Sequence, residues 1–197
     1  MHRRSLALAL VLLALSLPLS ASQFIQQPFD QVAREAAYAV RGQVVDTWSA
    51  WDDAHEVIFT YATLRVTRYF GETTGPDTLV VREVGGTVDG YTQEAIGFPV
   101  LRRGEQVVFF LAPTEDGSSY RIHAYNQGKY LVKSRMGAEV LVEDPVKQGE
   151  SRLESPEGPR HRMTTDAATE DVLTIDEFAG MVEAARAGHA VNDVHHQ

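Results

Sequence analysis

The chain contains no cysteine. That excludes disulfide staples, thiol chemistry and a lipid-modified cysteine at an export cleavage site. Positive charge is also scarce: 18 Lys+Arg stand against 27 Asp+Glu, a formal net charge of −9. No basic cluster offsets this, so nucleic acid and anionic lipid are poor partners for the chain. Tight ligand spacings are missing too. There is no H-E-x-x-H and no D-x-D-x-D-G loop, so no metal is expected. No G-x-S-x-G elbow marks a nucleophile, and Gly85-Gly86 lacks the G-x-G-x-x-G spacing of a phosphate loop, so no cofactor is expected either.

Long apolar runs are confined to the first residues. His2, Arg3 and Arg4 precede the Leu/Ala/Val run Leu6–Leu17, Pro18 breaks it, and Ser20-Ala21-Ser22 supplies small residues. This three-part layout predicts a secretory signal peptide over residues 1–22, cleaved after Ala21 or Ser22. The run falls short of the ~20 residues that a spanning helix needs. The expected product is an exported protein, periplasmic or extracellular, with no stable membrane anchor after cleavage. Without Arg3 and Arg4 it would carry 16 Lys+Arg against 27 Asp+Glu, a net charge of −11. That balance suits solubility.

The strongest fold signal runs from Gly104 to Val132. Val107–Leu111 is apolar at every position, and a second β-rich run from Tyr120 follows a turn containing Asp116-Gly117. The pattern predicts a hairpin whose first strand is covered on both faces. Asp30 is placed to cap a short helix over 31–37. Strands are expected over Tyr38–Ser49, with Gly42 marking a bulge, over Glu56–Phe70 and Thr78–Val84, and again over Lys129–Lys133 and Ala138–Val142. These assemble into a mainly β chain: an OB-like antiparallel barrel, residues 23–142, with a short N-terminal helix. Residues 143–172 read as a polar linker, since 144–169 holds three prolines, two glycines and many charges. Thr174 and Glu177 are spaced as a capping box and open a helix in residues 173–188. Its stripe of Ile175, Phe178, Met181, Val182 and Ala185 is expected to dock on the barrel, ahead of a tail, 189–197.

Several positions within this order form a recognisable set. They are Ala37, Val40, Gly42 and Val44; Thr60 and Val66; Val81, Gly85 and Gly86; Pro99, Gly104, Glu105, Val107, Phe109, Phe110 and Leu111; and Tyr120, Gln127, Gly128, Lys129 and Tyr130. Over roughly Ala36 to Val132 the chain resembles a group of exported bacterial proteins of unknown function. Their domain looks like the OB-like barrel of the netrin-like modules, which include the tissue inhibitors of metalloproteinases. The resemblance implies a binding partner among exported proteins, such as a matrixin-like zinc protease. It does not carry over the inhibitors' mechanism, which places an N-terminal cysteine on the catalytic zinc.

Two groups of residues are candidates for contact. Trp48 and Trp51 flank a strand-to-strand turn near Phe59 and Tyr61, where they either form a partner surface or cover the barrel end. Gln127, Lys129 and Tyr130 surround Gly128, where a bend could aim polar groups outward at a barrel rim. No catalytic residue is assigned. His123 alternates with Ile122 and Ala124 and is expected to face outward. Asp52-Asp53 and Glu115-Asp116 read as solvated turn residues, and Glu105 as a partner for backbone donors or an Arg. The expected function is an exported non-enzymatic protein-binding module, acting on or with a secreted protease. A small-ligand or glycan-binding barrel is the alternative, and a hydrolase with a dispersed site is a further one. The oligomeric state is left open.

Overall fold

The computed structural model of the chain describes residues 27–71, 74–135, 137–144 and 173–189. The expected signal peptide, nearly all of the expected linker and the tail beyond His189 lie outside them. Helix α1 spans Phe29–Glu35 and follows Pro28, whose φ of −60° already suits a helix start. Asp30 is therefore not the cap expected for it. It lies in the first turn and pairs with Arg34 at 2.7 Å.

Strands β1 (Tyr38–Trp51), β2 (Ile58–Tyr69) and β3 (Thr78–Val84) form an antiparallel meander. The β1 register shifts at Arg41/Gly42, as the glycine predicts. A Cβ on Gly42 would lie 2.5 Å from the Arg65 carbonyl oxygen, so the close approach of β2 requires glycine there. A small hairpin follows, β4 (Gly86–Val88) and β5 (Tyr91–Gln93), turning at Asp89-Gly90 with φ of 50° and 83°. Positive φ at both turn residues is what a two-residue hairpin needs. The sequence pattern had shown the turn but not the two short strands.

Strand β6 (Gln106–Pro113) closes the barrel. It pairs with β1 along one edge and with β7 (Tyr120–Ile122) and β8 (Lys129–Arg135) along the other. The circuit β1-β2-β3-β7-β6-β1 is a closed five-stranded mixed barrel, compatible with an OB-like barrel. All its seams are antiparallel except β3–β7, where Val81 and Tyr120 pair in parallel. Beyond the barrel the sheet continues through β8, β9 (Ala138–Glu143) and β10 (Leu173–Thr174). The β-rich run after Tyr120 is thus two strands, the second starting at Lys129 as expected. Ala124 and Tyr125 adopt φ of 60° and 56°, a 3-10 turn covers Tyr125–Gly128, and the chain re-enters the sheet as β8.

Two cores share β6. Val107, Phe109 and Leu111 face the barrel interior with Val40, Val44, Ala62, Leu64, Leu79, Val81 and Ile122. Val108 and Phe110 face the other way, onto α1 and helix α2 (Ile175–Arg186). All five residues Val107–Leu111 are fully buried. The expected capping box is present: Glu177 N donates to Thr174 Oγ1 at 3.3 Å, and Thr174 N to Glu177 Oε2 at 2.9 Å. Of the apolar stripe, Ile175, Phe178, Val182 and Ala185 are buried together with Ala179, while Met181 is only half-buried. Phe178 is the hub, with ring centroids of Phe29, Phe70, Phe110 and Tyr130 at 5.6, 5.1, 5.5 and 5.5 Å. Arg186 closes the helix pair by donating to the carbonyls of Ala33, Ala36 and Phe70 at 3.2, 3.3 and 3.4 Å. Two of those carbonyls belong to the end of α1, where a helix leaves acceptors without intrahelical partners.

Phe178→Ala removes the hub of the second core. Truncation of a fully buried Phe costs about 3–5 kcal/mol. Urea unfolding should show one transition shifted by that amount. A shift below about 1 kcal/mol would mean that α2 is not part of the cooperative unit.

Candidate functional site

Strand alternation separates the two tryptophans. Trp48 and Trp51 are three residues apart, so their side chains leave β1 on opposite faces. The register of β1 with β2 runs unbroken here, pairing Trp48 with Tyr61, Ser49 with Thr60, Ala50 with Phe59 and Trp51 with Ile58. Ile58 and Ala62 are buried on the inner face. Trp51 therefore lies over the barrel end, half-buried, stacked on His55 at 5.8 Å and meeting Tyr91 at 5.9 Å. Trp48 belongs to the outer face and is 43% exposed.

The outer face of the meander carries an ordered row. Trp48 pairs with Tyr61, and Tyr61 pairs with Arg82 on β3. The Trp48 and Tyr61 rings stack at 5.3 Å and 8°. Arg82 lies over the Phe59 ring at 4.7 Å and approaches Asp116 at 3.6 Å. Asp116 is itself held: its Oδ1 accepts from Thr114 Oγ1 at 2.6 Å and from Ser118 N at 3.1 Å, and its Oδ2 from Ser118 Oγ at 2.9 Å. Those hydrogen bonds, Thr114 first, pull its pKa down to about 2. The carboxylate read from sequence as a solvated turn residue thus organises the β6–β7 turn and steadies Arg82. The residue types of this row, Trp, Tyr and Arg, are those that dominate binding energy at protein interfaces.

The second candidate group is placed differently from the expectation. Lys129 is fully buried and presents nothing at a rim. Its ammonium donates to the Val100 carbonyl at 2.5 Å and to Glu105 Oε2 at 2.8 Å, and pairs with Asp144 at 2.9 Å. A buried ammonium needs such a set, because three donors out of water are costly to leave unmade. Glu105 is thereby a structural partner, and it also meets Arg102 at 3.2 Å. Tyr130 is turned into the helix core beside Phe110 and Phe178, where burial raises its pKa. Gln127 Oε1 accepts from the backbone N–H of Gln27 at 2.9 Å. Gly128 has the steric role: an added Cβ would lie 2.0 Å from the His123 carbonyl oxygen. His123 does not face outward. Its side chain is 14% exposed and Nε2 lies 3.4 Å from Glu35.

Glu83 is the group that sequence reasoning missed. It continues the inward alternation Leu79, Val81, Glu83 on β3 and is 5% exposed. Its Oε1 accepts from the Ile122 N–H at 2.5 Å, bridging the short parallel seam between β3 and β7. Burial pushes its pKa up to about 8, against smaller opposing effects of that N–H and of Arg121. Among the described residues no group of three or more His, Asp or Glu is arranged to hold a metal ion. No protein-family model matches the chain, and no curated protein matches it.

Two substitutions separate these structural roles. Lys129→Met strands Glu105 and Asp144 in a largely buried site, and breaking such a pair costs about 3–5 kcal/mol. Chemical denaturation should record that loss, and a variant as stable as the wild type would mean that the cluster contributes nothing net. Glu83 holds its proton in the folded state from its unfolded pKa near 4.5 up to about 8. Across that window the folded state binds more protons than the unfolded one. The contribution of Glu83 to stability is then fully present below pH ~4.5 and is lost as pH rises toward 8, by at most about 1.4 kcal/mol per unit. Glu83→Gln should flatten this slope in urea titrations; an unchanged slope would rule Glu83 out as its source.

Proposed function

We propose that this is an exported, non-enzymatic protein-binding module that engages another exported protein, with a secreted protease as the leading partner. The observation that carries the reading is the outward row Trp48–Tyr61–Arg82, laid across three rigid strands with Trp48 43% exposed. Rigid aromatic and arginine anchors on a sheet lose little side-chain entropy on binding, which is how a small surface achieves affinity. The resemblance to the netrin-like barrels supports the same reading, and the mixed barrel is compatible with it. The metalloproteinase inhibitors' zinc-binding cysteine has no counterpart in this chain, so any contact with a protease must be made by side chains such as these. The signal-peptide pattern supplies the exported setting.

A glycan-binding barrel is the second reading, favoured by the same exposed Trp48 ring, since an aromatic face also accepts a sugar ring. Trp48→Ala tests both. The side chain is half outside the fold, so thermal unfolding should shift little. Capture of a partner from culture supernatant should weaken by at least about tenfold, equivalent to ~1.4 kcal/mol. Undiminished capture by the variant would remove this face from the interface. Retention of wild type but not the variant on a polysaccharide matrix, with no protein captured, would move the assignment to the glycan.

A further inference from the structure

The barrel end beside this face has its own chemistry. Two segments build it, the β1–β2 tip and the β4–β5 hairpin with the chain that follows. Residues 43–64 and 83–101 contain no Lys and no Arg. They do contain Asp46, Asp52, Asp53, Glu56, Glu83, Asp89 and Glu94. All but Asp52 and Glu83 are exposed. Asp52 accepts from Val57 N at 3.0 Å and from Glu56 N at 2.7 Å, which lowers its pKa and keeps it ionised. Asp52, Asp53 and Glu56 lie in the tip between Trp51 and β2, and Asp89 in the turn just before Tyr91. Trp51 and Tyr91 meet at 5.9 Å with their planes at 65°, and Tyr91 is 67% exposed. Trp48, 43% exposed, lies on the other face of the same strand.

A bare aromatic surface fits many partners, but this one is selective by charge. An aromatic face attracts a cation through its ring quadrupole, and ionised carboxylates nearby add to that attraction. An anionic or purely apolar segment would instead have to desolvate those carboxylates without compensation. We propose that the end formed by the β1–β2 tip and the β4–β5 hairpin binds a Lys/Arg-rich extended segment of the exported partner. Basic side chains sit against Trp51 and Tyr91 and are neutralised by Asp53, Glu56 and Asp89. The proposal rests on the protein-binding reading above and names the partner's chemistry. It also gives a role to the acidity of the chain, which otherwise serves solubility alone.

The test uses the full mature chain and a synthetic peptide of alternating lysine and glycine, with alternating glutamate and glycine as the control. Tryptophan fluorescence should change on adding the lysine peptide and not the glutamate peptide, and the affinity should fall as salt is raised. Asp53→Asn/Glu56→Gln/Asp89→Asn should weaken binding by about tenfold or more, as should Tyr91→Ala. Asp77→Asn/Glu143→Gln/Glu183→Gln removes equal charge away from this end and should leave the affinity unchanged. Equal weakening by the two triple variants would reduce the effect to net charge and overturn the proposal. So would undiminished binding by both the tip triple variant and Tyr91→Ala. The two readings fail separately. Loss of partner capture by Trp48→Ala with full capture by the tip variants keeps the binding module and discards the basic segment. Intact capture by Trp48→Ala together with loss by the tip variants keeps the basic segment and moves the interface to this end.

Discussion

Everything in this molecule depends on one strand that is buried on both faces. Val107, Phe109 and Leu111 fill the barrel, while Val108 and Phe110 carry the two helices. Because side chains alternate along a strand, a continuous apolar run cannot be satisfied by one core. It forces a second layer, and the chain supplies that layer from both ends, α1 before the barrel and α2 after it. Phe178 then links Phe29, Phe70, Phe110 and Tyr130. With no disulfide available, this shared wall, the Arg186 hydrogen bonds and the β9–β10 pairing join the C-terminal helix to the rest.

The helices cover β6. On the outer face of the β1–β2–β3 meander Trp48 is exposed, while Tyr61, Phe59 and Arg82 are half-buried. The internal polar groups serve geometry. Lys129 ties Val100, Glu105 and Asp144 together, and Glu83 bridges the parallel seam. Each is a buried ionisable group whose value lies in satisfying backbone or charge, with little bearing on contact with a partner.

The sequence was most legible where a periodic pattern and a local motif agreed. The all-apolar run, the Gly42 bulge and the Thr174/Glu177 capping box are each written within a few residues, and each has its counterpart in the structure. It was least legible around Gly128. An exposed-looking Q-G-K-Y turn and a buried one have the same local chemistry, and what buries Lys129 is Glu105 and Asp144, 24 and 15 positions away. Glu83 was hidden for a related reason. In V-V-R-E-V either charged residue could face in, and the barrel takes the glutamate because it has an N–H to offer it.

The sequence by itself determined a mainly β chain with short flanking helices, no thiol chemistry, an acidic balance and the strand at its centre. These follow from composition and from periods of two and about 3.6 residues, which are local properties. Only the tertiary structure decided which face each residue joins. It placed Trp48 outside and Trp51 over the barrel end, turned Lys129 inward, and lined up Trp48, Tyr61 and Arg82 across three strands. Cross-strand register sets those neighbours, and it depends on bulges, turns and closure of the barrel, none of which any single strand encodes.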